Sequence, residues 1–340
     1  MTAVTEKPSL ADYKTALRGR RLQFAALLFC ALTVIAFWRL SRGDWPIPVS
    51  RVFALLSPFL SGPERMTPEA IVVRSVRLPR LLAAVGTGGV LSVAGVVLQG
   101  LLLNPLAEPY TLGIAAGAAF GGALGFMVHS LWVTPSAFAG ALAALWAVQG
   151  MAWRSSRGHL VLTGIVVNAF LSAGVTFLKA IADDRLGAIV LWLMGSFAGA
   201  SPTAALWVWG AAAVSALPPW FWGRELDAVS LGEDRGSLLG VDERRLRGGL
   251  LCLVSLGTAA AVGSFGIIGF VGLVVPHLLR PLIGPLHRPL LFFAFWTGGC
   301  LTALADGAAQ SLGELPVGVV TSLIGGPFFC WILLRQDGGL

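Results

Sequence analysis

Charge is what this sequence has least of. Of 340 residues, 24 are Lys or Arg and 17 are Asp or Glu, 12% of the chain, where ordinary soluble domains carry about 25%. Hydrophobic residues make up 56% and the mean hydropathy is +0.80. That balance excludes a soluble enzyme domain, a disordered tail and a disulfide scaffold. The formal charge of +7 does not point to nucleic acid. The basic residues form short clusters between long uncharged runs, whereas a phosphate-binding face needs a continuous basic stripe. Basic clusters beside apolar runs are the pattern of a bilayer protein.

The chemistry-bearing motifs are missing as well. Cys30, Cys252, Cys300 and Cys330 all lie in apolar runs without a C-x-x-C pair, so they read as small membrane-buried side chains, not a metal or redox site. The three lysines, Lys7, Lys14 and Lys179, follow no glycine, which removes the Gly-Lys-Ser/Thr phosphate loop. No H-E-x-x-H sequence occurs. No carboxylate or lysine sits in the middle of an apolar run, as an ion-coupled carrier would require, and no repeated arginine series marks a voltage sensor. His277 follows Pro276 near a helix end and reads as a capping or loop contact. No selectivity-filter pattern or charged ring of a channel is visible. Uphill transport by this chain would draw its energy from a partner.

What is present is a series of uncharged runs, each weighed against the roughly 20 apolar residues that cross a bilayer. They predict an all-α polytopic membrane protein of about ten spans. The first is 22–40, after a basic cytoplasmic N-terminal segment, 1–21. Residues 41–80, with six prolines, read as a long external loop with room for short helices. The uncharged run 81–107 holds the second span. Residues 109–153 hold two spans broken at Thr134-Pro135-Ser136, and 158–178 holds another. Residues 186–223 hold a short re-entrant or surface helix and then a span. Residues 248–279 read as two shorter spans joined at Gly263-Ser264-Phe265-Gly266, and 289–305 and 315–334 complete the set. An even count puts both termini on one side, and the internal segments then carry fifteen of the 24 basic residues, which favours a cytoplasmic N-terminus. Gly113, Gly117, Gly121 and Gly125 fall on one helix face, where small residues let helices approach closely in lipid.

The 224–247 segment is the one long charged loop predicted inside. Leu238 and Leu239 within it would be exposed unless a partner covered them. A solvated connecting helix is the plainer alternative.

Several ordered motifs carry a family resemblance. They are Arg77-Leu78-Pro79-Arg80, Gln99, Asn104-Pro105-Leu106-Ala107-Glu108-Pro109 and Ser230-Leu231-Gly232-Glu233 with Leu239-Gly240. The run from Gly266 to His277, Ala305-Asp306, the run from Glu314 to Thr321, and Gly325-Gly326-Pro327 continue the series. Over roughly 20–335 the chain resembles the FecCD-type permeases of ATP-binding-cassette importers for iron chelates, haem and vitamin B12. The resemblance implies a single permease domain, 22–335, in the bacterial cytoplasmic membrane, paired with a second permease subunit. It also implies two ATPase subunits, which would hold ATP and Mg where this chain holds no cofactor, and an extracytoplasmic binding protein. It assigns ATPase docking to Leu231, Gly232, Glu233, Arg235, Leu238, Leu239 and Gly240, and a cytoplasmic gate to Asn104, Pro105 and Leu106. Binding-protein docking falls to Arg77 and Arg80, with membrane-interface snorkelling as their alternative role. A further docking arginine of the family is Gln310 here, and the family's second gate, between spans four and five, is not carried over to the short 154–159 segment. An iron complex, siderophore or haem, is the favoured substrate and a corrinoid the alternative. A proton-coupled carrier or an intramembrane enzyme would need a buried acid or a catalytic pair at membrane depth.

Overall fold

Lipid offers no hydrogen-bond partner to a peptide group, so an apolar run that crosses it must satisfy its own backbone as a helix. The computed structural model describes residues 10–43, 45–57, 67–152, 157–232, 236 and 238–337, and among these there is no β-strand. In chain order the helices are α1 (Leu10–Ser41), the short α2 (Val49–Leu56), α3 (Pro68–Leu102), α4 (Ile114–Val128), α5 (Val133–Ala152) and α6 (Arg157–Ala180). They continue with the short α7 (Leu186–Leu193), α8 (Pro202–Phe221), the short α9 (Gly223–Val229), α10 (Glu243–Phe265), α11 (Val271–Ile283), α12 (His287–Ser311) and α13 (Val317–Asp337). Seven are long and apolar enough to cross a membrane, and α4, α11 and the Val317–Trp331 part of α13 are shorter apolar helices.

Three boundaries differ from the sequence reading, each for a local reason. The helix that carries the second span begins at Pro68, inside the 41–80 segment read as an external loop. Thr67 accepts a hydrogen bond from the Ala70 N–H and Pro68 occupies the first helical turn, where its missing N–H costs nothing. Pro79 is then accommodated behind a wider π-helical stretch, Val72–Arg77. Arg74, Arg77 and Arg80 therefore project from a helix and not from the external loop. The break after α4 falls at His129–Trp132, and Pro135 sits in the first turn of α5. The break after α10 falls at Gly266, which adopts φ +76, so Gly263 and Ser264 remain helical.

Helix α3 is apolar all round and forms the core: from Pro79 to Leu102 every residue except Leu82 is buried. Its main partner is the antiparallel α12. The two backbones meet where Gly88 faces Gly298, and a methyl group at either would overlap the other's carbonyl oxygen. Beside this contact the Thr302 hydroxyl donates to the Ala84 carbonyl at 2.7 Å. Gly117, Gly121 and Gly125 of α4 lie against Gly140, Ser136 and Val133 of α5 and form a packing seam, whereas Gly113, the fourth glycine of the spacing, precedes α4 at φ +76 and faces Val167 of α6. Gly88→Val should cost at least the 1–3 kcal/mol typical of overpacking and lower the thermal midpoint of the detergent-purified protein. Gly210→Ala, in a position with open space around it, should leave it unchanged; equal shifts would contradict the close approach.

Candidate functional site

Three structures attached to α3 and α12 carry the residues assigned from the sequence. At the end where α3 finishes and α12 starts, α8 passes into α9 and the 230–242 loop. The loop returns to the bundle through Asp242, whose carboxylate accepts the Arg245 N–H at 3.1 Å and caps α10. Leu238 and Leu239 are 83% and 63% exposed, and Leu231 is exposed beside them. Gly240, at φ +79, supplies the left-handed turn that folds the loop back. Beneath it, a cleft of about 550 Å³ is lined by Trp222, Glu225, Leu239, Asp242, Arg245 and Leu246. Gly232 lies at the start of the loop, while Glu233 and Arg235, assigned with it to docking, lie outside the described residues. So do Arg154 to Ser156, the start of the short segment between α5 and α6.

The second structure is the turn after α3. Leu103 ends the helix in the left-handed region at φ +48, and the Asn104 carboxamide oxygen then accepts the Leu106 N–H at 2.9 Å. The Asn104 carbonyl accepts the Ala107 N–H at 3.1 Å. Pro105 sits inside this double closure, so Leu106 is held in place by the turn. The chain next meets a break from another part of the fold. The Tyr110 hydroxyl donates to the Ile268 carbonyl at 2.7 Å and accepts the Ile268 N–H at 3.1 Å. Helix α4 has 15 residues and α11 has 13, about 22 and 20 Å of rise against roughly 30 Å of hydrocarbon. Both begin inside the bundle, where irregular backbone needs protein partners, and Tyr110 provides them at Ile268. Sequence reasoning passed over Tyr110; the signal was a phenol between Pro109 and Gly113 in an otherwise apolar run. Nearby, a cavity of about 440 Å³ between α7, the 266–270 break and α13 is lined by Met194, Ile267, Gly269, Gly318, Val319 and Ser322, with no charged side chain.

The third structure lies at the opposite end of α3 and α12. Arg80, 8% exposed, bonds Asp306 at 2.9 and 3.0 Å and Glu314 at 2.8 and 3.0 Å. Arg39 of α1 shares Asp306 Oδ2 with Arg80 and donates to Gln310 Oε1 at 2.6 Å. Asp306 is 1% exposed. Arg80, assigned to binding-protein docking, is turned inward to these carboxylates. Arg77, assigned to the same task, donates to the Leu40 and Trp45 carbonyls and braces the loop after α1. Two cations and two anions thus close a four-membered cluster in which every charge has an opposite neighbour.

Removing one member of such a set leaves a buried charge uncompensated. Asp306→Asn should cost about 3–5 kcal/mol, seen as a fall in the thermal midpoint in detergent, and the double variant Asp306→Asn/Arg39→Met should recover part of it. A double variant as unstable as the sum of its singles would argue against the pairing. Glu314, in the loop after α12, is held below its ordinary pKa by its hydrogen bonds to Arg80, against a smaller opposing effect of burial. A carboxylate depressed in the folded state contributes stability above its unfolded pKa and loses it as pH falls through the folded value. The thermal midpoint should therefore fall below about pH 4.5, and Glu314→Gln should flatten that fall.

Residues 31–335 match the FecCD transport family. Over 280 residues the chain is 41% identical to the hemin transport system permease protein HmuU of Yersinia pestis, covering 77% of this chain and 83% of that one. It is 39% identical to the cobalamin import system permease protein BtuC of Halobacterium salinarum, covering 78% and 74%. A solved structure of a metal-chelate type ABC transporter in an inward-facing conformation superposes with a TM-score of 0.82 at 32% identity, over 92% of this chain and 99% of the other. With its apolar helices, exposed leucine loop and open uncharged groove beside the 266–270 break, this chain is a multi-pass membrane permease belonging to the FecCD transport family.

Proposed function

We propose that this chain is the membrane subunit of an ATP-driven importer that carries an intact metal complex, an iron chelate or haem, into the cytoplasm. The observation that carries the reading is the exposed leucine pair at 238–239 on a loop seated against the core helices. Exposed apolar side chains on a short loop at the end of a membrane bundle are covered at low cost by a soluble partner. The chain holds no phosphate loop of its own, so the partner is an ATPase pair that binds ATP and Mg and grips residues 231–240. The Asn104-Pro105-Leu106 turn is the gate on that side, because a leucine held at a pore mouth closes it by excluding water. On the opposite face, around Arg77 and Glu314, a binding protein delivers the substrate, and Arg80 holds Glu314 in place for that contact.

A second copy of the chain completes the path. Helix α6 exposes Asn168, Ser172 and Thr176 at successive four-residue intervals among Ile165, Val166 and Phe170. A polar line on an apolar helix is better placed against a water-filled path between two copies than against lipid. With ten helices crossing, both termini and the 230–242 loop lie in the cytoplasm. A corrinoid is the second substrate reading, favoured by the identity to the cobalamin permease.

Proteoliposomes containing the chain, its ATPase and its binding protein should take up haem, a ferric chelate or a corrinoid only when ATP is enclosed with the ATPase. Uptake driven by a proton gradient without the ATPase would refute this function. Leu239→Asp and Gly240→Asp should each lower uptake about tenfold, equivalent to ~1.4 kcal/mol, without reducing membrane insertion. Unchanged uptake would remove the docking assignment.

A further inference from the structure

The 230–242 loop needs a rigid joint if its displacement is to move the membrane helices, and α9 supplies one. A single carboxylate oxygen, Oδ1 of Asp227, lies 2.8 Å from the His287 backbone nitrogen and 2.6 Å from its Nδ1. His287 opens α12, so a side chain of α9 caps another helix in place of a residue of its own, and no side chain of α12 does so. The His287 ring is buried over Gly100 of α3: a Cβ built there would lie 2.6 Å from Nε2 and 3.3 Å from Leu226 of α9. The Ser230 hydroxyl bonds the Leu226 carbonyl at 2.7 Å and lies 3.4 Å from the Gly100 carbonyl. On the far side of α9, a Cβ at Gly223 would press on Arg288, which donates to the Phe221 carbonyl at 2.9 Å. Three elements, α3, α9 and α12, are in close contact here.

We infer that Asp227 and His287 form the positioning joint through which the loop drives α3 and α12 as one body. Above the joint the helices touch backbone to backbone at Gly88 and Gly298, and at the far end Arg80 and Asp306 bind them together. Gly100 and Arg80 are about 30 Å apart along α3 at 1.5 Å per residue, so the pair reaches from the loop to the opposite face. A rigid pair pinned at both ends passes on a displacement instead of dissipating it. Asp227 makes this connection through one oxygen, and its loss frees α9 to move without α12.

The inference rests on the importer reading, and the test separates the two. The complete transporter, with ATPase and binding protein, is reconstituted, and substrate taken up per ATP hydrolysed is compared with the amount of assembled complex. Asp227→Ala should lower uptake per ATP about tenfold, the scale of a typical coupling free energy, with the complex still assembled. Asp227→Asn keeps the acceptor oxygen and should retain most of the coupling. His287→Ala should uncouple to a similar degree, and the Asp227→Ala/His287→Ala pair should be no worse than either single variant, because both break one joint. Unchanged uptake per ATP in Asp227→Ala, or loss in strict proportion to assembled complex, would overturn the joint while leaving the importer reading intact. A wild-type chain that recruits no ATPase would instead overturn the importer reading.

Discussion

Helices α3 and α12 can touch only because Gly88 and Gly298 carry no side chain, and most of the remaining architecture is arranged around that contact. In lipid, apolar side chains gain little by leaving one hydrocarbon surface for another, so close packing has to hold helices together. Backbone contact gives the pair its stiffness, and hydrogen bonds at both ends stop it from sliding. α3 is the central helix and α12 its brace. The charged cluster, the gate turn and α9 are all attached to one or both of them.

The same solvent explains where polar chemistry occurs. Charges gather towards one end of the bundle, where Arg39, Arg80, Asp306 and Glu314 neutralise one another. Deeper in the bundle, backbone groups freed by a broken helix find a protein partner. Tyr110 does this at Ile268 with a single hydroxyl acting both as donor and acceptor. The groove next to that break presents glycines, apolar side chains and the Ser322 hydroxyl, with no charge.

A transport cycle on this framework needs two arrangements of a bundle that is stiff along α3 and α12 and looser elsewhere. α6 is the contrasting element. It is largely exposed along its length and meets the short helix before α4 at Gly164, which lies against Thr111 and Leu112. Relative movement of the stiff pair and such peripheral helices opens and closes a path without bending any helix, the ordinary way in which packed helices change state.

The all-α membrane class, most of the apolar helices and the leucine loop were legible in the amino-acid order, because they depend on composition and local chain chemistry. Uncharged length reports a span, four-residue glycine spacing reports a seam, and a leucine pair amid charges reports a surface. Motif order from Arg77 to Gly326 carried the family as well, since each motif occupies its own place along the chain. Helix boundaries were less legible where proline was read as a breaker: Pro68, Pro79 and Pro135 are all helical, because a first turn or a π stretch removes the need for their N–H. Tertiary structure alone decided which distant residues meet. Arg80 and Asp306 are 226 positions apart and Asp227 and His287 are 60 apart, and no local pattern announces either pairing. Each depends on the antiparallel contact of α3 with α12, which brings the start of one helix to the end of the other and so decides whether an arginine faces a binding partner or a buried carboxylate.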